Sequence, residues 1–431
     1  MPRIRWTMIV LCFLATTINY VDRATMSVAA PFMQRDLGLT PATMGFLLGG
    51  FFWTYAVMQL PAGWLVDRVG PRLTYAVAVL WWSLFTGLTS VVNGAAAIFG
   101  LRLALGVGEA GSYPANAAVA ARWFPSRERG IAAGIFDSGS RAGTALSLPI
   151  VAALVAFLGW RWAFVATGLL GVAWTAVWLL VYRDPERHPS VDAAALARLR
   201  AAQPVTAAAG AVSWGSLFRH RTVWGMMVGF FCLNFVFYFF TTWFPTYLLE
   251  SRGFSLKELG TVGMLPGLVA VPAAWLGGWT SDALHRRGWS LTAARKTCLV
   301  GGMLTSSVIT LSAFVPSNTV ALLLFALCYG AIAFTGANIW ALPADVAPTP
   351  AHVASLGGIQ NCASNLSGIA ISTFTGVMLM ITHGSFVVPL CVAGGFCVLG
   401  ALTYLFLVGR IEPLPLLPTR AGSTTGAVAA E

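Results

Sequence analysis

Twelve predominantly apolar runs succeed one another along the chain, at 6–30, 42–66, 73–93, 95–121, 130–156, 162–182, 222–248, 258–281, 297–315, 319–341, 353–381 and 386–409. Short polar stretches separate them. A bilayer core asks for about 20 apolar residues per helical crossing, and inside lipid only helices and closed barrels satisfy every backbone amide. Runs of this length exceed what a barrel strand needs. The pattern predicts an all-α membrane protein with twelve transmembrane helices.

One polar segment, 183–221, is longer than the rest and carries six arginines. It divides the chain into an N-terminal six-helix bundle (1–182) and a C-terminal one (222–410), with 183–221 as a central loop and 411–431 as a tail. The halves share a signature. "GWLVDRVGPR" (Gly63–Arg72) follows the second span of the first half, and "GWTSDALHRRG" (Gly278–Gly288) follows the second span of the other. A recurrence at the equivalent place in each half predicts two pseudo-symmetric bundles, which in transporters enclose a substrate site near the midplane.

Composition agrees. The 431 residues are 57% hydrophobic and 10% charged, against roughly 25% charged in a soluble domain. The net charge of +11 raises the question of nucleic acid, and its placement answers it. With the N-terminus inside, 19 of the 26 Lys and Arg fall on the cytoplasmic side; Arg35, Arg161, Arg252 and Lys257 fall outside, and Arg23, Arg102 and Arg141 lie within spans. That is the positive-inside asymmetry, with the lipid bilayer as partner, no nucleic acid, and both termini cytoplasmic. The apolar run behind "MPRIRW" reads as a retained first helix, since it carries Asp22 and Arg23 and lacks a clean cleavage site. The seven cysteines sit within apolar runs without a CxxC pair, and the five histidines fall at loops or span ends; no disulfide, metal or other cofactor is expected.

The chemistry lies in the charges within the spans. A charged side chain at a helix centre costs at least ~2.5–3.5 kcal/mol on insertion scales, so such residues usually face a water-filled path. Asp22 and Arg23 are adjacent, hence about 100° apart around a helix, and cannot share one direction. Arg102 and Glu109 stand two turns apart along one face. Desolvation raises the pKa of a buried acid and a nearby cation lowers it. An acid whose cation is recruited by an anionic substrate would therefore couple proton and substrate occupancy; a static tie of Arg102 to Asp22 or Glu109 is the structural alternative. In "IFDSGSRAGT", Asp137 and Arg141 are one turn apart, suited to a self-neutralising pair or, if Arg141 faces a cavity, to a second carboxylate. Ser138 and Ser140 add hydroxyls, while Trp340, Gln360, Asn361 and Asn365 offer an aromatic surface and amides. The run "FVFYFFTTWFPTY", with Tyr238 and Trp243, is expected to form a lipid-facing and interfacial belt.

The Gly63–Arg72 stretch resembles the loop signature of the major facilitator superfamily. "NYVDRATMSVAAP" and "LRLALGVGEAGSYPAN" resemble the first and fourth helices of its anion:cation symporter family, which includes proton-coupled carriers of galactonate, glucarate and hexuronate. The resemblance implies an importer of a sugar acid working by proton symport and alternating access in a bacterial inner membrane. It implies protonation at Asp22, with Glu109 sharing the coupling, and a carboxylate receptor at Arg23. Tyr20 and Tyr55 match positions lining the family's sugar-acid site. Arg102, Ser140, Arg141, Trp340 and Asn361 complete the candidate site, with Arg141 a departure from the family pattern. Gly63, Asp67, Arg68, Gly70 and Arg72, with Asp282 and its neighbours Arg286 and Arg287 in the second half, are candidates for a gating latch. A monomer with protons and one small organic anion as partners is the expectation. Carriers of dicarboxylates or aromatic acids and anion exchangers stay open, as does a channel or sensor. No phosphate-binding loop or nucleophile–base set supports a pump or an enzyme.

Overall fold

A computed structural model describes residues 2–125, 128–201, 214–349 and 352–415. The first crossing is α1 (Pro2–Leu37), the second α2 (Pro41–Val69) and the third α3 (Pro71–Leu88). The fourth is divided into α4 (Ala95–Glu109) and α5 (Ser112–Trp123). The next helix, α6 (Arg129–Val181), supplies two crossings. Its apolar stretch of 51 residues would run about 76 Å if straight, more than twice the hydrocarbon thickness of roughly 30 Å. Gly159 turns it: φ +80° lies where a residue with a Cβ is strained, and this separates the fifth and sixth predicted spans.

Short helices α7 (Ala193–Ala201) and α8 (Trp214–Leu217) lie in the segment between halves, whose residues 202–213 fall outside the described residues. The second half continues with α9 (Arg221–Thr242), α10 (Phe244–Thr246), α11 (Leu256–Thr261), α12 (Leu265–Arg286), α13 (Leu291–Ser306), α14 (Asn318–Ile339), α15 (Leu342–Val346), α16 (Val353–Ile381) and α17 (Val387–Leu402). Consecutive pieces joined end to end give six crossings here as well. The predicted tail begins by packing on this half: Leu414 N–H donates to Val346 O at 2.9 Å and Ile411 N–H to Thr292 Oγ1 at 2.9 Å; residues 416–431 fall outside the description.

Two differences from the expected helices matter. The fourth span breaks directly after Glu109, where Ala110 and Gly111 make the turn. Pro114, in the first turn of α5, has no N–H to lose there, which is where proline is tolerated. The second difference is a correction. The aromatic run of α9 is not a lipid-facing belt: Tyr238, Phe239, Trp243 and Tyr247 are 7%, 0%, 0% and 2% exposed. Phe239 and Phe240 pack on Phe325, and Trp243 Nε1 donates to Ser372 O at 3.1 Å. The run packs within the protein and borders its interior cavities through Phe237, Tyr238 and Phe240, so an aromatic run apolar all round is a core element here.

The N-terminus, the inter-half segment and the residues after α17 share one face, called the basic face below. Packing between the halves concentrates toward the other face. There α2 meets α16 so closely that a Cβ on Gly45 would lie 2.9 Å from Gly376 Cα, an approach only small residues permit. Ser27 Oγ donates to Thr242 O at 2.6 Å, and α6 packs against α11 and α12 around Pro149 and Ala145.

Candidate functional site: a central cavity beside buried charges

A cavity of about 600 Å³ lies between the halves, within the range of small-molecule sites, and is bordered by residues of α1, α2, α5, α6, α9, α12, α14 and α16. Ala117, Phe136, Trp340 and Gly357 carry its lining toward the basic face, while the packing around Gly45 and Ser27 closes the other end. A smaller cavity of about 60 Å³ continues toward the closed side and includes Arg102, Phe51 and Ser147.

The adjacent charges of α1 do diverge. Arg23 borders both cavities; its guanidinium carbon lies 4.5 Å, 4.7 Å and 5.1 Å from the ring centres of Phe51, Tyr55 and Tyr20. Cation–π contact of this kind holds a guanidinium with its donors still free to bind. Asp22 points into the first half, 2% exposed, toward Thr167 and Trp82, and neither carboxylate oxygen has a hydrogen-bond partner among the described residues.

The ion pairing differs from both sequence alternatives. Glu109, fully buried, is joined to Arg23 at 2.7 Å through Nε and Oε2. Arg102 pairs with neither Asp22 nor Glu109: it is 7% exposed, has no salt bridge among the described residues, and lies 5.4 Å from the Phe51 ring. The spacing along α4 aligned Arg102 with Glu109, but Arg23 of α1 reaches the end of α4 and is the cation that meets the acid. A buried guanidinium without an anion is costly, and this one adjoins the smaller cavity.

Across the cavity, Arg141 and Asp137 approach only to 3.8 Å, and Tyr113 OH donates to Asp137 Oδ1 at 3.2 Å. Ser140 borders the cavity, although its hydroxyl donates back to Asp137 O. In the second half, Asn361 Nδ2 donates to Gln59 Oε1 at 3.1 Å, a bond between halves, and Tyr238 OH donates to Asn365 Oδ1 at 2.8 Å. Trp340 borders the cavity with its ring edge-on to Phe230. Gln360, in contrast, is 1% exposed and donates to Ile339 O. Gln59, Tyr113, Asn234 and Tyr329 also border the cavity and were not singled out from sequence. Gln59 follows Tyr55 by one helical turn, a legible signal; Tyr329 lies in an otherwise apolar run and gave none.

The gating candidates sit at the basic face. Gly70 adopts φ +91° between α2 and α3, and Arg72 Nη2 donates to Leu179 O at 2.8 Å. Gly63 approaches Pro114 of α5. Asp67 and Arg68 are exposed, and the described residues show no salt bridge to either, Arg68 resting on Trp64. Asp282 does not pair with Arg286 or Arg287; its partner is Arg295 at 3.6 Å, which also holds Asp345 at 2.9 Å. Arg286 and Arg287 end α12, whereas Arg295 rises from the next helix alongside.

Two helical bundles around a central cavity closed at one end have the architecture of a membrane transport protein. Residues 12–372 match the Major Facilitator Superfamily, and the chain belongs to that family. It is 36% identical to the Probable galactarate/D-glucarate transporter GudP of Escherichia coli strain K12, covering 96% of this chain and 95% of that one. It is 33% identical to a D-galactonate transporter of Escherichia coli O6:H1, covering 95% and 97%. The crystal structure of a bacterial homolog of the human lysosomal transporter Spinster, inward-facing and unoccupied, shares the fold with a TM-score of 0.77 at 21% identity, covering 96% of this chain and all of that one.

Proposed function

We propose that this protein imports a sugar acid (an aldonate, hexuronate or aldarate) by proton symport across a bacterial inner membrane, acting as a monomer. The observation that carries the reading is the Arg23–Glu109 ion pair set in the cavity wall. A substrate carboxylate entering the cavity competes with Glu109 for Arg23, as bidentate guanidinium binding favours. A Glu109 released from its cation inside a desolvated bundle takes up a proton, so anion and proton load together. Asp22 is the second proton-carrying group, with no cation against it. Arg102 supports the anion from the closed side; Tyr20, Tyr55, Ser140, Trp340 and Asn361 contact the polyol chain. The positive-inside asymmetry makes the basic face cytoplasmic, so the open cavity is the inward-facing state. Breaking and remaking contacts of Asp67, Arg68 and Asp282 gates that face. The named relatives carry galactarate, glucarate or galactonate, which agrees with this substrate class.

The purified protein tests this in two stages. Thermal-shift screening should single out sugar acids over neutral sugars, and proteoliposomes should accumulate the best ligand when the outside is acid. Equal accumulation without a proton gradient would sink the symport reading. Arg141, loosely paired and in the cavity, also favours a second reading: a dicarboxylate carrier or an anion exchanger.

A further inference from the structure

The first half contains a buried polar stripe that the cavity does not use. On α1, Thr16, Asn19 and Asp22 recur every three residues and occupy one arc of the helix; of the residues that border the cavities, Tyr20, Ala24 and Ser27 occupy the neighbouring arc and Arg23 projects between Asn19 and Thr16. The three stripe residues are 0%, 1% and 2% exposed. Asn116 of α5 donates Nδ2 to Thr16 Oγ1 at 3.0 Å. Tyr75 of α3 lies beside Thr16 and Asn116, with its hydroxyl 3.4 Å from Ser112 Oγ. Tyr75 is four residues into α3, whose first turn stands at the basic face. Asp22 and Thr16 are separated by about 9 Å along the helix axis, with Thr16 on the side of Asp22 nearer that face.

Glu109 joins the stripe to the cavity. Its Oε2 is held by Arg23, which borders the cavity, while Oε1 is buried without a partner on the side of Asn19. Other orphaned atoms mark the route: both oxygens of Asp22, Asn19 Nδ2, Asn116 Oδ1 and Thr74 Oγ1. Buried polar atoms of this kind are met by ordered water in folded proteins. An apolar filling would have served packing equally well. Among the described residues, Glu109 is the charged group that bears on Asp22 from another helix, and it is itself held by Arg23.

We propose that this stripe is a hydrated proton path through the interior of the first half, from Asp22 and Glu109 past Asn19, Thr16 and Asn116 to Tyr75 on the side of the basic face, separate from the substrate cavity. The inference rests on the reading of Asp22 and Glu109 as proton carriers. In the step, the Asp22 carboxyl breaks its O–H bond and passes the proton to an adjoining water, leaving a carboxylate. That water passes a proton onward, and one proton emerges at the basic face, so charge balances with no other reactant. Substrate and proton then leave by different doors.

The test uses the full chain in proteoliposomes loaded with a pH-sensitive dye, with galactarate as the probe substrate. Asn116→Leu and, separately, the near-isosteric Thr16→Val should slow proton release and gradient-driven uptake about tenfold or more while galactarate counterflow proceeds at the wild-type rate. Asn116→Ser, which leaves room for water, should restore release. Wild-type release in Asn116→Leu, alongside lost coupling in Asp22→Asn, overturns the path and leaves the symport reading standing. Coupled accumulation by Asp22→Asn takes Asp22 out of the coupling and overturns the path, while the symport reading is tested separately by accumulation without a proton gradient. Equal loss of release and counterflow in Asn116→Leu marks a packing residue and also overturns the path. Hydroxyl-radical labelling of the wild-type protein needs no variant: Tyr75, fully buried, should label as readily as Tyr20, and protection of Tyr75 beside a labelled Tyr20 counts against internal water.

Discussion

Arg23 Nε stands 2.7 Å from Glu109 Oε2, joining α1 to the end of α4 across 86 positions of sequence. The pair lies where the charged interior of the first half meets the cavity. It neutralises a fully buried carboxylate and at the same time presents a cation to the substrate space. The same guanidinium cannot serve both anions fully, and that competition is the coupling element proposed for transport.

Removing the cation should therefore injure both stability and binding. Arg23→Ala leaves Glu109 buried without a partner, which costs on the order of 3–5 kcal/mol. The unliganded protein should melt lower and show no ligand-induced stabilisation by sugar acids. Arg23→Lys keeps the charge but loses the two-pronged geometry, so its melting temperature should recover more than its affinity. Thermal-shift titration of both variants separates these effects, and a wild-type ligand shift in Arg23→Ala excludes it as the carboxylate receptor.

Asp22 should act on the proton alone. Asp22→Asn preserves shape and removes the titratable group, so accumulation driven by a pH gradient should disappear while counterflow persists. Radiolabelled uptake and exchange in the same vesicles measure the two. Full accumulation in the variant would take Asp22 out of the coupling.

Arg141 should choose among substrates. Its contact with Asp137 is 3.8 Å long and partly exposed, a geometry typically worth about 1 kcal/mol or less. Losing that pair should hardly affect stability. Arg141→Ser is expected to weaken dianionic aldarates by about 1.5–3 kcal/mol, the range for a hydrogen bond to a charged group, with aldonates less affected. Competition assays with galactarate and galactonate read the ratio. Unchanged selectivity with a lower yield of protein would identify a structural pair.

The glycine contact at the closed face should control closure. Gly45→Leu places side-chain atoms where Gly376 now packs, so the α2–α16 approach cannot form as observed. A membrane-impermeant thiol reagent applied from that face should then reach a cysteine placed at Ser27, which is 1% exposed in the closed arrangement. Unaltered labelling would show that another contact closes the cavity.

Much of this architecture was legible along the chain because a bilayer imposes length, apolarity and internal hydrogen bonding on each crossing. The twelve runs, the division near 183–221 and the repeated Gly-Trp-x-x-Asp all appear as local patterns. Helical angle alone separated Asp22 from Arg23. Periodicity could not tell a lipid-facing aromatic helix from a buried one, since both are apolar all round; α9 was misjudged for that reason. Partner choice also lay beyond the sequence. Seven residues of spacing aligned Arg102 with Glu109, yet Arg23, 86 positions away, holds the acid because the tertiary fold brings its guanidinium to the end of α4. The chain by itself determined which residues carry charge into the membrane. The tertiary structure decided which of those charges meet, because ion pairing depends on distances between helices that no single helix encodes.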